Sequence, residues 1–159
     1  MKKEEKTNVM RVLESKKIPY GFRTYQPDAS LSGAEIAALL GEKPEKVFKT
    51  LVTQGKSSQY YVFVVPVEAE LDLKKAAKSV GEKSVKMLPQ KELLPLTGYV
   101  HGGCSPIGMK KAFRTVIDAS AEMQETIIFS AGKIGYQVEL TLAELAKVLR
   151  FSTAQITAE

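Results

Sequence analysis

Apolar and polar positions change period several times along the chain, and each change marks an element. From about Thr7 to Lys17, Val9, Met10 and Leu13 recur at helical spacing, and Pro19 ends the run. Tyr20 to Tyr25 alternates as a short strand, with Tyr20, Phe22 and Thr24 on one face. Ser32-Gly33-Ala34-Glu35 has the form of a capping box; it opens a helix carrying Ile36, Leu39 and Leu40, which Gly41 closes. Val47 to Gln54 and Gln59 to Val67 predict two strands around the turn Gly55-Lys56-Ser57-Ser58. The second of these is apolar almost throughout, the mark of a strand in the middle of a sheet.

Further along, Asp72 is placed to cap a helix running through Ala76 and Ala77 to about Ser79. Val85 to Leu88 predicts a brief strand, and Gln90 to Leu94 a short helix. Thr115 to Asp118 and Thr126 to Phe129 are short β-type runs, and the turn Ala131-Gly132-Lys133-Ile134-Gly135 leads into a strand from Tyr136 to Leu140. Thr141-Leu142-Ala143-Glu144 is a second capping box. It predicts a closing helix with Leu142, Leu145, Val148 and Leu149 on one stripe. Helices and strands do not alternate as regular βαβ units, so the fold class is mixed α/β: a mixed, largely antiparallel sheet or open barrel surrounded by helices.

Composition adds bounds. The 159 residues carry no repeat, low-complexity tract or linker, and a single domain over residues 1–159 is expected. The longest apolar run, Tyr60 to Val67, is strand-sized, and no membrane partner is expected. The charged start Met1-Lys2-Lys3-Glu4-Glu5-Lys6 has no apolar segment behind it, and a lone cysteine forms no internal disulfide, so the expected compartment is the cytoplasm. With 23 basic against 18 acidic residues, the net charge of +5 suits a polyanionic partner such as RNA. Lys74, Lys75, Lys78, Lys83 and Lys86, then Lys110, Lys111 and Arg114, either border one cleft or lie on solvated helix faces.

Candidate chemistry concentrates in Tyr99-Val100-His101-Gly102-Gly103-Cys104-Ser105-Pro106-Ile107-Gly108, which holds the chain's one histidine and one cysteine. Such a loop is either a tight connection or a nest of backbone N–H groups for an anionic or carbonyl oxygen. Zinc is disfavoured, because a site here would have to take every further ligand from carboxylates. A Cys–His pair three residues apart on one loop is a poor nucleophile and base, so Cys104 is expected to fill space in the loop. G-x-S-x-G, G-x-x-x-x-G-K-[ST] and G-x-G-x-x-G are absent from the sequence. Lys49 lies inside the apolar run Val47-Phe48-Lys49-Thr50-Leu51-Val52, sharing a face with Val47 and Leu51. There it either meets an anionic ligand or snorkels to water from an edge.

Four segments in register resemble the YbaK/EbsC family: Val47 to Leu51, Leu71 to Lys78, Thr97 to Gly108 and Gly132 to Leu140. The resemblance runs from about Thr7 to Leu149. These proteins are similar to the editing domain inserted in bacterial prolyl-tRNA synthetases, and the resemblance implies a freestanding factor that hydrolyses a wrong amino acid from tRNA, typically Cys-tRNA(Pro). It further implies catalytic roles for Lys49, Gly102 and Gly103, whose amides would polarise the ester carbonyl in a loop shaped by Pro106. Contacts to the substrate fall to Tyr25, Ser32, Cys104, Ser105, Pro106, Gly108, Ser130, Gly132, Lys133 and Gln137, with no metal and no cofactor. The implied partners are the 3′ acceptor end of aminoacyl-tRNA and prolyl-tRNA synthetase. In the cysteine-specific branch the substrate's own thiol attacks its ester; in alanine editors water does so. Two positions depart from the cysteine pattern: Gln137 replaces a frequent Asp and Ser32 a frequent Phe. Alanine therefore stays open as the amino acid, and so does a non-catalytic module that binds tRNA or a synthetase.

Overall fold

A computed structural model describes residues 6–28 and 30–158. The first half runs α1 (Asn8–Ser15), β1 (Gly21–Thr24), α2 (Gly33–Leu39), β2 (Phe48–Gly55), β3 (Tyr60–Pro66) and α3 (Leu73–Val80). The second runs β4 (Val85–Met87), α4 (Gln90–Thr97), β5 (Arg114–Asp118), β6 (Ile127–Ser130), β7 (Tyr136–Leu140), α5 (Leu142–Leu145) and β8 (Phe151–Ala154). The charged residues 1–5 lie outside the described residues. No helix among the described residues is long and apolar enough to cross a membrane.

The strands form two sheets, a three-stranded one ordered β1-β7-β6 and a five-stranded one ordered β4-β2-β3-β5-β8. The smaller sheet is antiparallel throughout. In the larger, β4, β2 and β3 are antiparallel neighbours, while β3–β5 and β5–β8 run parallel. An isolated parallel bridge between Val47 and Ile128 joins the two sheets. The expected mixed, largely antiparallel architecture is therefore the one observed.

β3 sits at the centre because both of its faces are apolar. Val62 and Val64 point into a core shared with α1, β6 and β7, where Val9, Leu13, Phe129 and Val138 are fully or almost fully buried. Tyr61, Phe63 and Val65 point the other way, onto Ala76, Ala77 and Val80 of α3. A strand covered on both sides needs a continuous apolar run, as its sequence has. Alternation also holds in β2: Phe48 and Val52 enter the first core, while Leu51 packs against the second.

The chain departs from expectation at two helices and one strand. α4 continues through Pro95 to Thr97 and stops on Gly98, whose N–H donates to Leu94 O at 2.8 Å. The expected closing helix is cut to Leu142–Leu145, although Thr141 caps it as read. Val148 and Leu149 instead complete a turn, because the chain must swing out to lay Phe151–Ala154 parallel to β5. That strand, Phe-Ser-Thr-Ala, is short and mixed in polarity and carries no periodic signal. It is anchored from the core by Asp118, whose Oδ1 accepts the Ile156 N–H at 3.1 Å.

Truncating Phe63 to Ala should cost about 3–5 kcal/mol, because it empties the central strand's contact with α3. Urea unfolding monitored by circular dichroism measures it; a loss below about 1 kcal/mol would contradict this packing.

Candidate active site

The glycine-rich loop is held by its own ends. Thr97 Oγ1 donates to Leu93 O at 2.8 Å and accepts the Tyr99 N–H at 3.0 Å. Buried Tyr99 reaches across the loop to donate its hydroxyl to Ile107 O at 2.5 Å. Inside this frame, Gly103 N–H donates to Val100 O at 3.0 Å, and Ile107 N–H to Ser105 Oγ at 3.3 Å. Gly102 turns the chain with φ +88°, a region that costs L-residues strain. Gly108 is needed for space as well as for its φ of +76°, since a Cβ there would sit 2.9 Å from Tyr99 Oη.

A cleft of about 200 Å³ opens beside this loop, where the start of β2, the start of α2, the end of β6 and β7 converge. Its walls include Tyr25, Ser32, Lys49, Gly102, Cys104, Ser130 and Gln137, all of them expected site residues. They come from segments more than a hundred residues apart. Lys49 stands half-buried opposite Val65 in the β2–β3 register. Burial pulls its pKa down, with Glu70 acting against the shift. Among the described residues, the amides of Gly102 and Cys104 donate to no backbone carbonyl.

Other expected residues lie elsewhere. Gly103 is not on the cleft wall and its N–H is already spent on Val100, so it offers no free donor. Its smallness has a steric reason: a Cβ would stand 3.0 Å from Ile134 N. Ser105 is fully buried beneath the loop. Gly132 donates its N–H to Ser130 Oγ at 3.1 Å, and so holds that hydroxyl rather than a ligand. Lys133 lies over the Tyr136 ring, 5.3 Å from its centroid. Pro106 and Gly108 line a separate, larger groove of about 610 Å³ with Phe113, Arg150 and Phe151.

Sequence reasoning missed several wall residues. His101, considered only as half of a disfavoured Cys–His pair, lines the cleft, as do Thr50, Leu93, Ile134 and Val67. Thr50 was visible as the neighbour of Lys49. Leu93 and Ile134 carry no signal of their own, since only packing of α4 and the 131–135 turn brings them here.

Charge around the site is sorted by burial. Burial pushes the Cys104 thiol up to about 12, which makes it a space-filling group and a poor nucleophile. On β7, Glu139 bonds Arg23 at 2.8 Å and Lys46 at 2.9 Å. Burial alone would raise its pKa, but the Thr126 hydroxyl and those two cations outweigh it and hold it at about 2. Among the described residues, no three His, Cys, Asp or Glu side chains gather as a metal site.

Comparison with known proteins places this geometry. The aminoacyl-tRNA editing domain model matches residues 27–148, most of the chain. An Enterococcus faecalis protein with the provisional name Cys-tRNA(Pro)/Cys-tRNA(Cys) deacylase EbsC is 44% identical over 157 residues, covering 98% of this chain and 96% of that one. The chain belongs to the aminoacyl-tRNA editing domain family. A proline–tRNA ligase of Trichlorobacter lovleyi matches this editing domain at 27% identity over 100 residues, 63% of this chain and 17% of that enzyme. A crystal structure of a protein provisionally described as a trans-editing enzyme for prolyl-tRNA synthetase has the same fold, with TM-score 0.80 and 22% identity, covering 98% of this chain and all of that one. Enzymes of this family act as aminoacyl-tRNA deacylases, and the editing domain is an enzyme of that kind.

Two measurements test the electrostatics of the editing domain. Cys104 in the folded protein should react with a thiol reagent at pH 8 on the order of a thousandfold more slowly than in denaturant, following its thiolate fraction. Equal rates would show an exposed or activated thiol. Glu139 has a depressed pKa, so its contribution to stability is full above the unfolded value of about 4.3 and is lost as pH falls toward 2. Glu139→Gln should therefore flatten the fall of the urea midpoint between about pH 5 and pH 2; an unchanged slope would refute it.

Proposed function

We propose that the protein is a free-standing aminoacyl-tRNA deacylase that removes cysteine from Cys-tRNA(Pro), with residues 1–159 acting as one editing unit. The observation that carries this reading is the convergence of half-buried Lys49 with Gly102 and Cys104 of the loop on one small cleft. Its volume of about 200 Å³ falls below the roughly 300–1,000 Å³ of drug-sized sites and suits a small aminoacyl group rather than a whole nucleotide.

In this reading Lys49 holds the terminal phosphate or adenosine end of the tRNA, and partial burial strengthens its field. The amides of Gly102 and Cys104 receive the ester carbonyl and the negative charge that develops on its oxygen. With a cysteinyl ester, the substrate's own thiolate attacks the carbonyl carbon. The ester C–O bond then breaks, the ribose oxygen leaves and takes a proton, and water opens the resulting thiolactone to free cysteine. The protein contributes orientation and electrostatics, so the inert Cys104 is no obstacle. Prolyl-tRNA synthetase is the proposed source of the mischarged tRNA, a link supported by the local similarity to proline–tRNA ligases.

A second amino acid is favoured by two residues of the cleft wall. Gln137 is a neutral amide on the cleft wall, and the Ser32 hydroxyl is committed to the Glu35 N–H at 3.1 Å. Both suit an alanyl ester, where water replaces the thiol as nucleophile.

Deacylation of Cys-tRNA(Pro), Ala-tRNA(Pro) and Pro-tRNA(Pro) distinguishes these readings. The cysteinyl ester should be lost fastest, and Lys49→Ala should lower kcat/KM on the order of a hundredfold. Preferential loss of alanine selects the alanine reading. Tight, salt-sensitive tRNA binding with no turnover of any ester would overturn both and leave a binding module.

A further inference from the structure

A buried carboxylate sits just outside the cleft in a place that helix geometry normally gives to an apolar residue. α2 ends in a full Schellman motif: Gly41 takes φ +68°, its N–H donates to Ala38 O at 3.2 Å, and Glu42 N–H donates to Ala37 O at 2.8 Å. The residue at the position of Glu42 in such a motif usually makes a hydrophobic contact back to the helix. Here it is a glutamate whose side chain is only 3% exposed.

That charge is poorly matched within the protein. Arg23 gives its close contact to Glu139, at 2.8 Å, and approaches Glu42 only at 3.6 Å through Nε. Lys46 also turns to Glu139, at 2.9 Å. Neither oxygen of Glu42 closes a hydrogen bond among the described residues. Burial pushes the Glu42 carboxyl pKa up; the side-chain amide of Gln137, the remaining group facing it, acts against that shift together with the Arg23 and Lys46 cations. Gln137 is 6% exposed and lines the cleft, and its Oε1 is buried without a partner. Thr50 Oγ1, on the same cleft wall, is likewise buried and unpaired. An orphaned amide oxygen next to an under-compensated carboxylate, with an orphaned hydroxyl on the same cleft wall, suits a ligand that donates hydrogen bonds and carries positive charge.

We propose that Glu42 is a positioning residue for the substrate's amino group: it draws the NH₂ end of Gln137 toward itself and leaves the Gln137 amide oxygen, with Thr50 Oγ1, to receive the α-ammonium of an aminoacyl ester. The inference rests on the deacylase reading and extends it. The negative charge that recognises the ammonium is set one residue back from the cleft, on the turn after α2, and acts through a neutral amide. A carboxylate selects the donor end of a glutamine, so Glu42 also fixes which end of Gln137 faces the substrate. The four charged side chains of the cluster, Arg23, Lys46, Glu42 and Glu139, balance formally, but their close contacts leave Glu42 as the member with charge to spare.

The test uses Cys-tRNA(Pro) and Ala-tRNA(Pro), each with a free and with an N-acetylated amino group. The wild type should prefer the free amine. Glu42→Gln should reduce that preference about tenfold or more, through KM more than kcat, while activity on the acetylated esters changes little. The double variant Glu42→Gln with Gln137→Glu moves the carboxylate to the cleft wall with the same atom count, and should restore the preference. Gln137→Ala provides the same readout should the Glu42 variants fail to fold, as judged from their thermal midpoints, and should likewise lose the preference. An undiminished preference in folded Glu42→Gln, or in Gln137→Ala, overturns the inference while leaving the deacylase reading intact. Absence of turnover by the wild type on all four esters removes the deacylase reading, and this inference with it.

Discussion

Two sheets meet at Val47 and Ile128, and the site depends on that seam. The bridge between them is parallel and isolated, and next to it the Val67 N–H donates to Val47 O at 2.8 Å. It is sealed by a small apolar cluster of Ala37, Val47, Val67 and Ile128. Along β2, Lys49 and Thr50 follow directly from the seam; along β6, Ser130 does. Ser130 pairs with Gln137 across β6–β7, and Gln137 with Arg23 across β1–β7. One apolar junction thus brings a lysine from the larger sheet to face polar groups of the smaller one.

The glycine-rich loop is positioned separately, and rigidly. Its geometry is over-determined by Thr97, Tyr99 and Ser105, whose hydroxyls bond backbone groups within or beside it. Within that frame the Gly103 amide is consumed by Val100 O, while among the described residues those of Gly102 and Cys104, two residues of the cleft wall, donate to no backbone carbonyl. A preorganised donor costs no reorganisation when charge develops on a substrate oxygen, which makes the rigidity part of the chemistry. It also explains why the histidine and cysteine in the loop contribute no nucleophile. Their residue types catch the eye, but the backbone around them is what the fold has fixed.

The resemblance made Gln137 a substrate contact in place of a frequent Asp, and so left that position without a charge. Glu42 gives that position a carboxylate at one remove. It could not have been found from residue types alone: Gly41-Glu42-Lys43 reads as an ordinary polar helix end. Its interest comes from being buried, and from its neighbours being committed to Glu139 instead.

Periodicity by itself determined most of the elements, the central place of β3, the caps at Ser32 and Asp72 and the alternating faces of β2. These are local properties, set by side-chain spacing and by backbone groups that must be satisfied within a few residues. The sequence also singled out Lys49 and the loop around Gly102, because a lysine in an apolar strand and a cluster of glycines are costly unless used. Only the tertiary structure decided that Gly103's amide is occupied, that Pro106 and Gly108 face a different groove, and that the closing helix yields to β8. It alone joined Lys49 to Gln137 and set Glu42 behind it. Those outcomes depend on which long-range partner reaches a group first, and spacing along a chain holds no record of that competition.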